Sequence, residues 1–132
     1  MIKDLIYDEF QNNVANLLIR HRSILDVMTK LSESTARINR ALAKSITNCG
    51  CLEVKAQKQQ IPKNITLQEL KDYMKTHLSG SLCPTCKEII EHEIGSSLFY
   101  LTALCELLDL NLYDVLVKEN DKISTLGIYN MS

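Results

Sequence analysis

The chain has 132 residues, of which 45% are hydrophobic, and its 15 lysines and arginines nearly balance its 16 aspartates and glutamates. This length suits one packed domain over residues 1–132, and the near-neutral charge excludes an overall attraction to nucleic acid, which we do not expect as a partner. Two prolines, four glycines and no tryptophan leave too few turn signals for a many-stranded sandwich or barrel, so we expect an all-α fold.

The first ten residues, MIKDLIYDEF, place four charged side chains inside an apolar pattern. A signal peptide or a membrane span needs an uninterrupted apolar core, so we expect neither. The sequence therefore predicts a cytoplasmic protein without a membrane association, in a compartment where thiols stay reduced.

Two amphipathic helices are predicted in the first part of the chain. Apolar residues recur at helical spacing over about residues 2–20 and again over about residues 24–46. Ser23 has a side chain suited to cap the second helix, and the second pattern stops at residues 48–51, Asn-Cys-Gly-Cys. These boundaries place one cysteine pair directly after a helix.

A polar, aperiodic loop is predicted over residues 50–65, with an extra helical turn near residues 52–58. Thr66 and the glutamate three residues after it have the form of a capping box, which predicts a short helix over residues 67–78. Gly80 is placed to close this helix, since glycine is common just beyond a helix C-terminus.

The most apolar segment is predicted to be a central helix over residues 87–108. Asn111 and Asp114 are suited to begin a last helix that extends through Ile123. We expect an irregular tail at residues 124–132. The predicted elements form a helical bundle with a cysteine-bearing loop.

Four of the five cysteines form two short pairs, Cys49-Gly-Cys51 and Cys83-Pro-Thr-Cys86, each at a predicted helix boundary. Two such chelating pairs can close around one ion, and a tetrahedral zinc site needs four thiolates at about 2.3 Å from the metal. We therefore predict that Cys49, Cys51, Cys83 and Cys86 bind a structural zinc ion. An iron–sulfur cluster uses the same ligands and is the alternative cofactor.

Two further interpretations of the cysteines remain open. All could be reduced thiols packed as small hydrophobic side chains, or Cys83 alone could be a redox nucleophile, because a helix N-terminus lowers a thiol pKa. A thioredoxin-like redox protein also needs a βαβ context, which the sequence lacks. Cys105 lies in the apolar helix and is predicted to be a core residue. His77 and His92 could replace a cysteine ligand, but they are predicted to lie at the surface.

The segment from Glu93 to Leu116, followed by Lys118-Glu-Asn120-Asp-Lys122, resembles the C-terminal half of MazG-type all-α nucleoside triphosphate pyrophosphohydrolases. In that family a helix opens with Glu-x-Gly-Asp before an apolar run, a short loop follows, and the next helix ends in a segment that bears Lys and Asn. Residues 25–41 resemble the preceding family helix, whose pattern is Leu-x-Glu-Glu-x-x-Glu-Leu. The resemblance implies a MazG-like helical bundle that associates as a homodimer.

The resemblance also implies two carboxylates from each of two facing helices, which hold magnesium ions on a triphosphate. Glu93 keeps the first position of the second pair, but Ser96 stands at the aspartate position. Ser34 and Arg37 occupy the two glutamate positions of the first pair, beside Glu33. Because most of these ligands are replaced, we predict a non-catalytic or regulatory protein in which Glu33 and Glu93 are residual family positions.

A basic stripe on the second helix is formed by Arg37, Arg40 and Lys44 at positions i, i+3 and i+7. Arg37 could contact phosphate in place of the metal, which predicts a protein that binds a nucleotide or phosphate without hydrolysis. Further candidate phosphate contacts lie later in the chain: Lys118, Asn120 and Lys122. The alternative is a solvated face whose charges pair with acids such as Glu33.

Two other functions remain as alternatives: an active magnesium-dependent pyrophosphohydrolase with rearranged ligands, and the thiol-redox protein described above. The carboxylates available to such a hydrolase are Glu33, Glu88, Glu91 and Glu93. Independently of function, the helix over residues 87–108 is more apolar than one partner helix can cover in so short a chain, which predicts a homodimer.

Overall fold

The computed structural model describes residues 2–18 and 22–126. Within these two ranges the chain forms five α-helices, one π-helical turn and one pair of short antiparallel strands, which confirms the all-α prediction. None of the described helices is both long and apolar enough to span a membrane. In chain order the elements are α1 (Ile2–Leu17), α2 (Ile24–Lys44), the π-helical turn (Ser45–Cys49), β1 (Leu52–Val54), α3 (Leu67–Tyr73), β2 (Leu78–Gly80), α4 (Pro84–Leu107) and α5 (Leu112–Leu126).

The contacts divide the chain into two compact units. The first unit consists of the described parts of Met1–Ile38 and Glu91–Ser132, and the second unit consists of Asn39–Ile90. Helices α2 and α4 therefore contribute residues to both units. The prediction of a single domain over residues 1–132 stays a prediction.

The core of the first unit is built from small apolar side chains. Val14 on α1, Val27 on α2 and Ala103 on α4 are each at most 1% exposed, and Leu18 directly after α1 is 2% exposed. Burial of this apolar surface is the main force that holds α1, α2 and α4 together. Partly buried side chains pack around it: Phe10, Phe99, Leu104 and Leu107.

A glutamine on α1 fixes the turn between α4 and α5. The Gln11 amide nitrogen donates to the Leu110 carbonyl, and the Gln11 amide oxygen accepts from the Leu112 backbone nitrogen, both at 2.8 Å. Asn111 caps α5, because its side-chain oxygen accepts from the Asp114 backbone nitrogen at 3.0 Å. The predicted start of the last helix is therefore confirmed.

The ends of α1, α2 and α5 differ from the sequence predictions. Helix α1 ends at Leu17, three residues before its predicted end, and residues 19–21 lie outside the described residues. Helix α2 ends as an α-helix at Lys44 and continues as a π-helical turn. Helix α5 extends to Leu126, and the rest of the predicted irregular tail, residues 127–132, lies outside the described residues.

The two strands lie in the second unit. Strands β1 and β2 run antiparallel, with Leu52 opposite Gly80 and Val54 opposite Leu78. The predicted helical turn near residues 52–58 is therefore wrong. Three residues are too few to show a period of two, and the partner strand lies in a distant part of the chain, so no local pattern revealed the pairing.

Helix α3 begins as predicted but ends early. The Thr66 hydroxyl accepts from the Glu69 backbone nitrogen at 3.1 Å, which confirms the predicted N-cap. The helix ends at Tyr73, well before the predicted end near residue 78. Gly80 does not close this helix but lies in β2, so its prediction as a helix cap is wrong.

Candidate metal centre

The structure brings together the four cysteines that the sequence predicts as ligands. The sulfurs of Cys49, Cys51, Cys83 and Cys86 all lie within 4.8 Å of one another, and the Cys49 and Cys83 sulfurs are 3.7 Å apart. A tetrahedral zinc site with bonds of about 2.3 Å places its sulfurs roughly 3.8 Å apart. The four sulfurs therefore lie close enough together to be compatible with one shared metal ion.

The first cysteine pair is presented by the end of the π-helical turn. The Gly50 backbone nitrogen donates to the Ser45 carbonyl at 2.9 Å, five residues back, and Gly50 has a left-handed φ of 78°. Glycine adopts this conformation without the steric cost that a Cβ would add. The reversal at Gly50 lets Cys49 and Cys51, on either side of it, face the same point.

The second cysteine pair is presented by the first turn of α4. Cys83 directly precedes Pro84, which begins the helix with the φ that its ring fixes. The Cys86 backbone nitrogen donates to the Cys83 sulfur at 3.4 Å, so a thiol here takes the place of an N-capping oxygen. This backbone contact, followed by the contact with the Cys86 side chain, lowers the pKa of Cys83 to about 7.

The two strands hold the cysteine pairs side by side. Leu52 follows Cys51 directly and pairs with Gly80, which lies three residues before Cys83. Gly80 has a φ of 84°, and a Cβ at this position would meet the Cys51 carbonyl oxygen at 2.4 Å. Sequence analysis missed this role, and the available signal was a glycine close before the second cysteine pair.

Ser45 lies beneath the cysteine cluster and was also missed. It is 1% exposed, its hydroxyl donates to the Ala41 carbonyl at 3.1 Å, and its carbonyl lies 3.8 Å from the Cys51 sulfur. A sequence signal existed, because Ser45 is seven residues after Ile38 and therefore lies on the same face of the α2 pattern.

The thiols resist joint ionisation in the absence of a cation. The Ser45 hydroxyl favours the Cys86 thiolate, but the contact with Cys83, partial desolvation and the other two cysteines outweigh it and raise the pKa of Cys86 to about 12. Thiolates packed this closely repel one another, and a bound divalent cation removes that repulsion. The donor set therefore fits a soft metal ion that binds four deprotonated sulfurs.

The remaining cysteine and the two candidate histidines lie outside this cluster. Cys105 is half-buried on α4, and burial raises its pKa. The ring of His77 contacts the Gln57 backbone nitrogen at 3.3 Å and the Gln59 amide nitrogen at 3.0 Å, so it holds the loop of the second unit. His92 is exposed on α4. Among the described residues, the candidate metal-binding group consists of the four cysteines alone.

A second candidate site is a cavity of about 170 Å³ in the first unit, between α2 and α4. Five of its lining residues are positions that the MazG-type resemblance singles out. The cavity is lined by Lys30, Glu33, Ser34, Arg37, His92, Glu93, Ser96 and Tyr100.

The charges at this cavity are partly neutralised within α2. The Glu33 carboxylate accepts from Lys30 at 3.2 Å and from Arg37 at 3.0 and 3.2 Å. The hydrogen bond from Lys30, and then that from Arg37, lowers the pKa of Glu33. For Arg37, this is the pairing with Glu33 that the alternative of a solvated face predicts.

Ser34 forms a helix contact at the position that the family gives to a glutamate. Its hydroxyl donates to the Leu31 carbonyl at 2.8 Å and lies 2.8 Å from the Ser97 hydroxyl on α4. Because the single Ser34 hydrogen is used by Leu31, the Ser97 hydroxyl is the donor of this pair. Short side chains here allow α2 and α4 to approach closely.

The other predicted site residues are not gathered at this cavity. Arg40 is exposed on α2, and Lys44 lines a separate cavity beside Cys49 and Cys86 in the second unit. The remaining candidates are exposed on α4 and α5: Glu88, Glu91, Lys118, Asn120 and Lys122.

The resemblance to MazG-type enzymes remains an expectation drawn from the residue pattern, because the comparisons with known proteins do not test it. The cysteine cluster stands independently of it, since the cluster follows from geometry. No protein-family model, no curated protein and no solved structure matches the chain.

Proposed function

We propose that this chain is a non-catalytic helical protein in which Cys49, Cys51, Cys83 and Cys86 hold one zinc ion as a structural cross-link. The observation that carries this proposal is the placement of all four sulfurs within 4.8 Å of one another. A site with four thiolates leaves no open position for a water molecule or a substrate, which is the arrangement of structural zinc.

The sulfur spacing supports zinc over an iron–sulfur cluster. In an iron–sulfur cluster the four cysteines are divided between two or four iron atoms, so sulfurs on different irons lie farther apart than the ligands of one ion. Here all four sulfurs lie within 4.8 Å of one another, which suits four ligands of one ion. Zinc is also the soft divalent ion without redox chemistry that four thiolates favour.

The test is the metal content of the purified protein and of five single Cys→Ser variants. We expect about one zinc per chain in the wild type, because two chelating pairs close one tetrahedral site. The metal should be lost on substitution of Cys49, Cys51, Cys83 or Cys86. Cys105→Ser is the matched control and should keep it. A metal-free wild type with all five thiols titratable would favour packed, reduced cysteines instead.

A second proposed function is the binding of a phosphate group, such as that of a nucleotide, at the cavity between α2 and α4 without hydrolysis. Lys30 and Arg37 supply positive charge there, and Ser96 supplies a hydroxyl. The cavity contains only two carboxylates, and Glu33 already accepts hydrogen bonds from two basic side chains. Too few free carboxylates remain for the magnesium ions that hydrolysis of a triphosphate uses.

Nucleotide binding and turnover can be measured separately. We expect no pyrophosphate release with magnesium, and binding that Arg37→Gln weakens by about tenfold because one charged contact is lost. Arg40→Gln is the matched control, since Arg40 does not line the cavity. Turnover at about one per second that disappears in Glu93→Gln would establish an active enzyme instead.

A further inference from the structure

One sulfur from each chelating pair is placed for direct bond formation. The Cys49 and Cys83 sulfurs are 3.7 Å apart and 34 residues apart in the chain. A disulfide bond is about 2.05 Å long, so the two sulfurs need to move together by less than the width of one atom. Cys49 is exposed, whereas the other three cysteines of the cluster are half-buried. A small solute can therefore reach the cluster through Cys49.

We propose that the metal centre is also an oxidation site, at which a hydroperoxide converts Cys49 and Cys83 to a disulfide and expels the zinc ion. This inference rests on the proposed zinc site, because metal binding keeps both sulfurs deprotonated. The thiolate is the nucleophilic form of cysteine. This oxidation site differs from a catalytic redox cysteine, since its reaction occurs once per chain and uses a pair of metal ligands.

The reaction balances with the hydroperoxide as the sole oxidant. The Cys49 thiolate attacks one peroxide oxygen, the O–O bond breaks, and a hydroxide or alkoxide leaves while Cys49 becomes a sulfenic acid. The Cys83 thiolate then attacks the Cys49 sulfur, the S–S bond forms, and the S–O bond breaks to release hydroxide. The two sulfurs lose two electrons in total, and these reduce the peroxide.

The disulfide would replace one cross-link with another between the same two segments. The zinc ion ties the end of the π-helical turn to the start of α4, and a bond from Cys49 to Cys83 joins those same points. Strands β1 and β2, which lie between them, therefore keep their alignment. Cys51 and Cys86 become free thiols, and two remaining ligands bind zinc far more weakly than four. The change is reversed by a dithiol reductant together with zinc.

The experiment uses the purified full chain with its metal counted first. One equivalent of hydrogen peroxide is added in the presence of a chromogenic zinc chelator, and the protein is then alkylated and mapped by mass spectrometry without reduction. We expect one zinc released per disulfide formed, a peptide pair linking Cys49 to Cys83, and three thiols left of the five. Cys105→Ser should release zinc at the same rate within about twofold, since Cys105 lies outside the cluster.

Three results would overturn the inference. If the protein keeps its zinc under excess peroxide, the inference is overturned but the proposed zinc site still stands. Release accompanied by a disulfide between Cys83 and Cys86, or by one that includes Cys105, would assign the oxidation to other sulfurs. A wild-type protein that contains no metal before peroxide is added would overturn the proposed function and this inference together.

Discussion

Among the described glycines, Gly80 is the one at which an added side chain would clash with the backbone. The Cys51 carbonyl oxygen occupies the space that a side chain would need, and the φ of Gly80 lies in the left-handed region. We expect Gly80→Ala to lower the free energy of unfolding by about 2 kcal/mol or more and to reduce zinc content, because the backbone must shift to relieve the contact. Thermal unfolding and metal analysis measure the two effects.

Gly95 provides the matched control for this substitution. It lies inside α4, and an added Cβ would meet nothing within 4 Å. Gly95→Ala should keep the metal and raise the free energy of unfolding by about 0.5–1 kcal/mol, since alanine loses less backbone freedom in a helix. Equal zinc content and equal melting temperatures for the two variants would contradict the role assigned to Gly80.

Ser34 stands where the MazG-type pattern has a glutamate, and it packs between two helices. It is 2% exposed and hydrogen-bonded to Ser97. We expect Ser34→Glu, which places a carboxylate at this position as in that pattern, to lower the free energy of unfolding by about 3 kcal/mol, because a larger charged group is forced into a buried helix contact. Ser96→Asp should remain folded, since Ser96 lines the cavity and is only half-buried. Urea denaturation distinguishes the variants, and equal midpoints would contradict this account.

The helices were predictable because their signals are local. Thr66 and Asn111 cap their helices through contacts that span three residues, so the sequence alone could place both starts. The two strands have no such signal. Each has three residues, and Gly80 acquires its role only when a distant segment brings Cys51 against it. The same limit explains the wrong prediction at Gly80. The local sequence favoured a helix cap, but the residue lies in β2.

The strands should also be the first elements to respond to metal removal. Strands β1 and β2 contain Leu52 as their one nearly buried apolar side chain among the described residues, whereas the helices of the first unit have a core of their own. A zinc chelator should therefore raise hydrogen exchange over residues 49–86 while amides in α1 stay protected. Mass spectrometry of deuterated peptides makes the measurement, with the same chelator already saturated with zinc as control. Simultaneous loss of protection in both regions would contradict this order.

At the scale of the whole molecule, α4 keeps a stripe of apolar residues in water. Three of its leucine and isoleucine side chains, and one just after it, follow one another at spacings of four, three and seven residues. They are between 44% and 53% exposed: Ile94, Leu98, Leu101 and Leu108. Apolar stripes of this kind mark association surfaces, and we propose that a second copy of the chain covers this one.

Light scattering tests this assembly directly. We expect a mass about twice the 15.0 kDa of one chain at micromolar concentration, and a shift towards the monomer in Leu98→Glu, because a charge in the stripe opposes its burial. Leu67→Glu, on an equally exposed leucine of α3, is the control and should leave the mass unchanged. A wild type with the mass of one chain would contradict the proposed homodimer.

Sequence spacing identified the four cysteines of the cluster but not the residues that align them. The two chelating pairs could be recognised from the sequence alone, since chelation depends on separations of two and three residues. Ser45 and Gly80 each had a weak sequence signal but were missed, because their roles arise from burial and from a close backbone approach. Five residues that line the cavity between α2 and α4 are positions that the resemblance singled out, whereas the Ser34–Ser97 contact appears only in three dimensions.

The π-helical turn makes the proposed zinc site sensitive to the length of the chain as well as to its composition. The turn from Ser45 to Gly50 uses one residue more than an α-helical turn, and each residue of an α-helix rotates the next by about 100°. Deletion of Asn48 would leave all four cysteines in the sequence but restore the α-helical phase and turn Cys49 away from its partners. Such a deletion is therefore expected to abolish the proposed zinc site, and a count of cysteines would not reveal the loss.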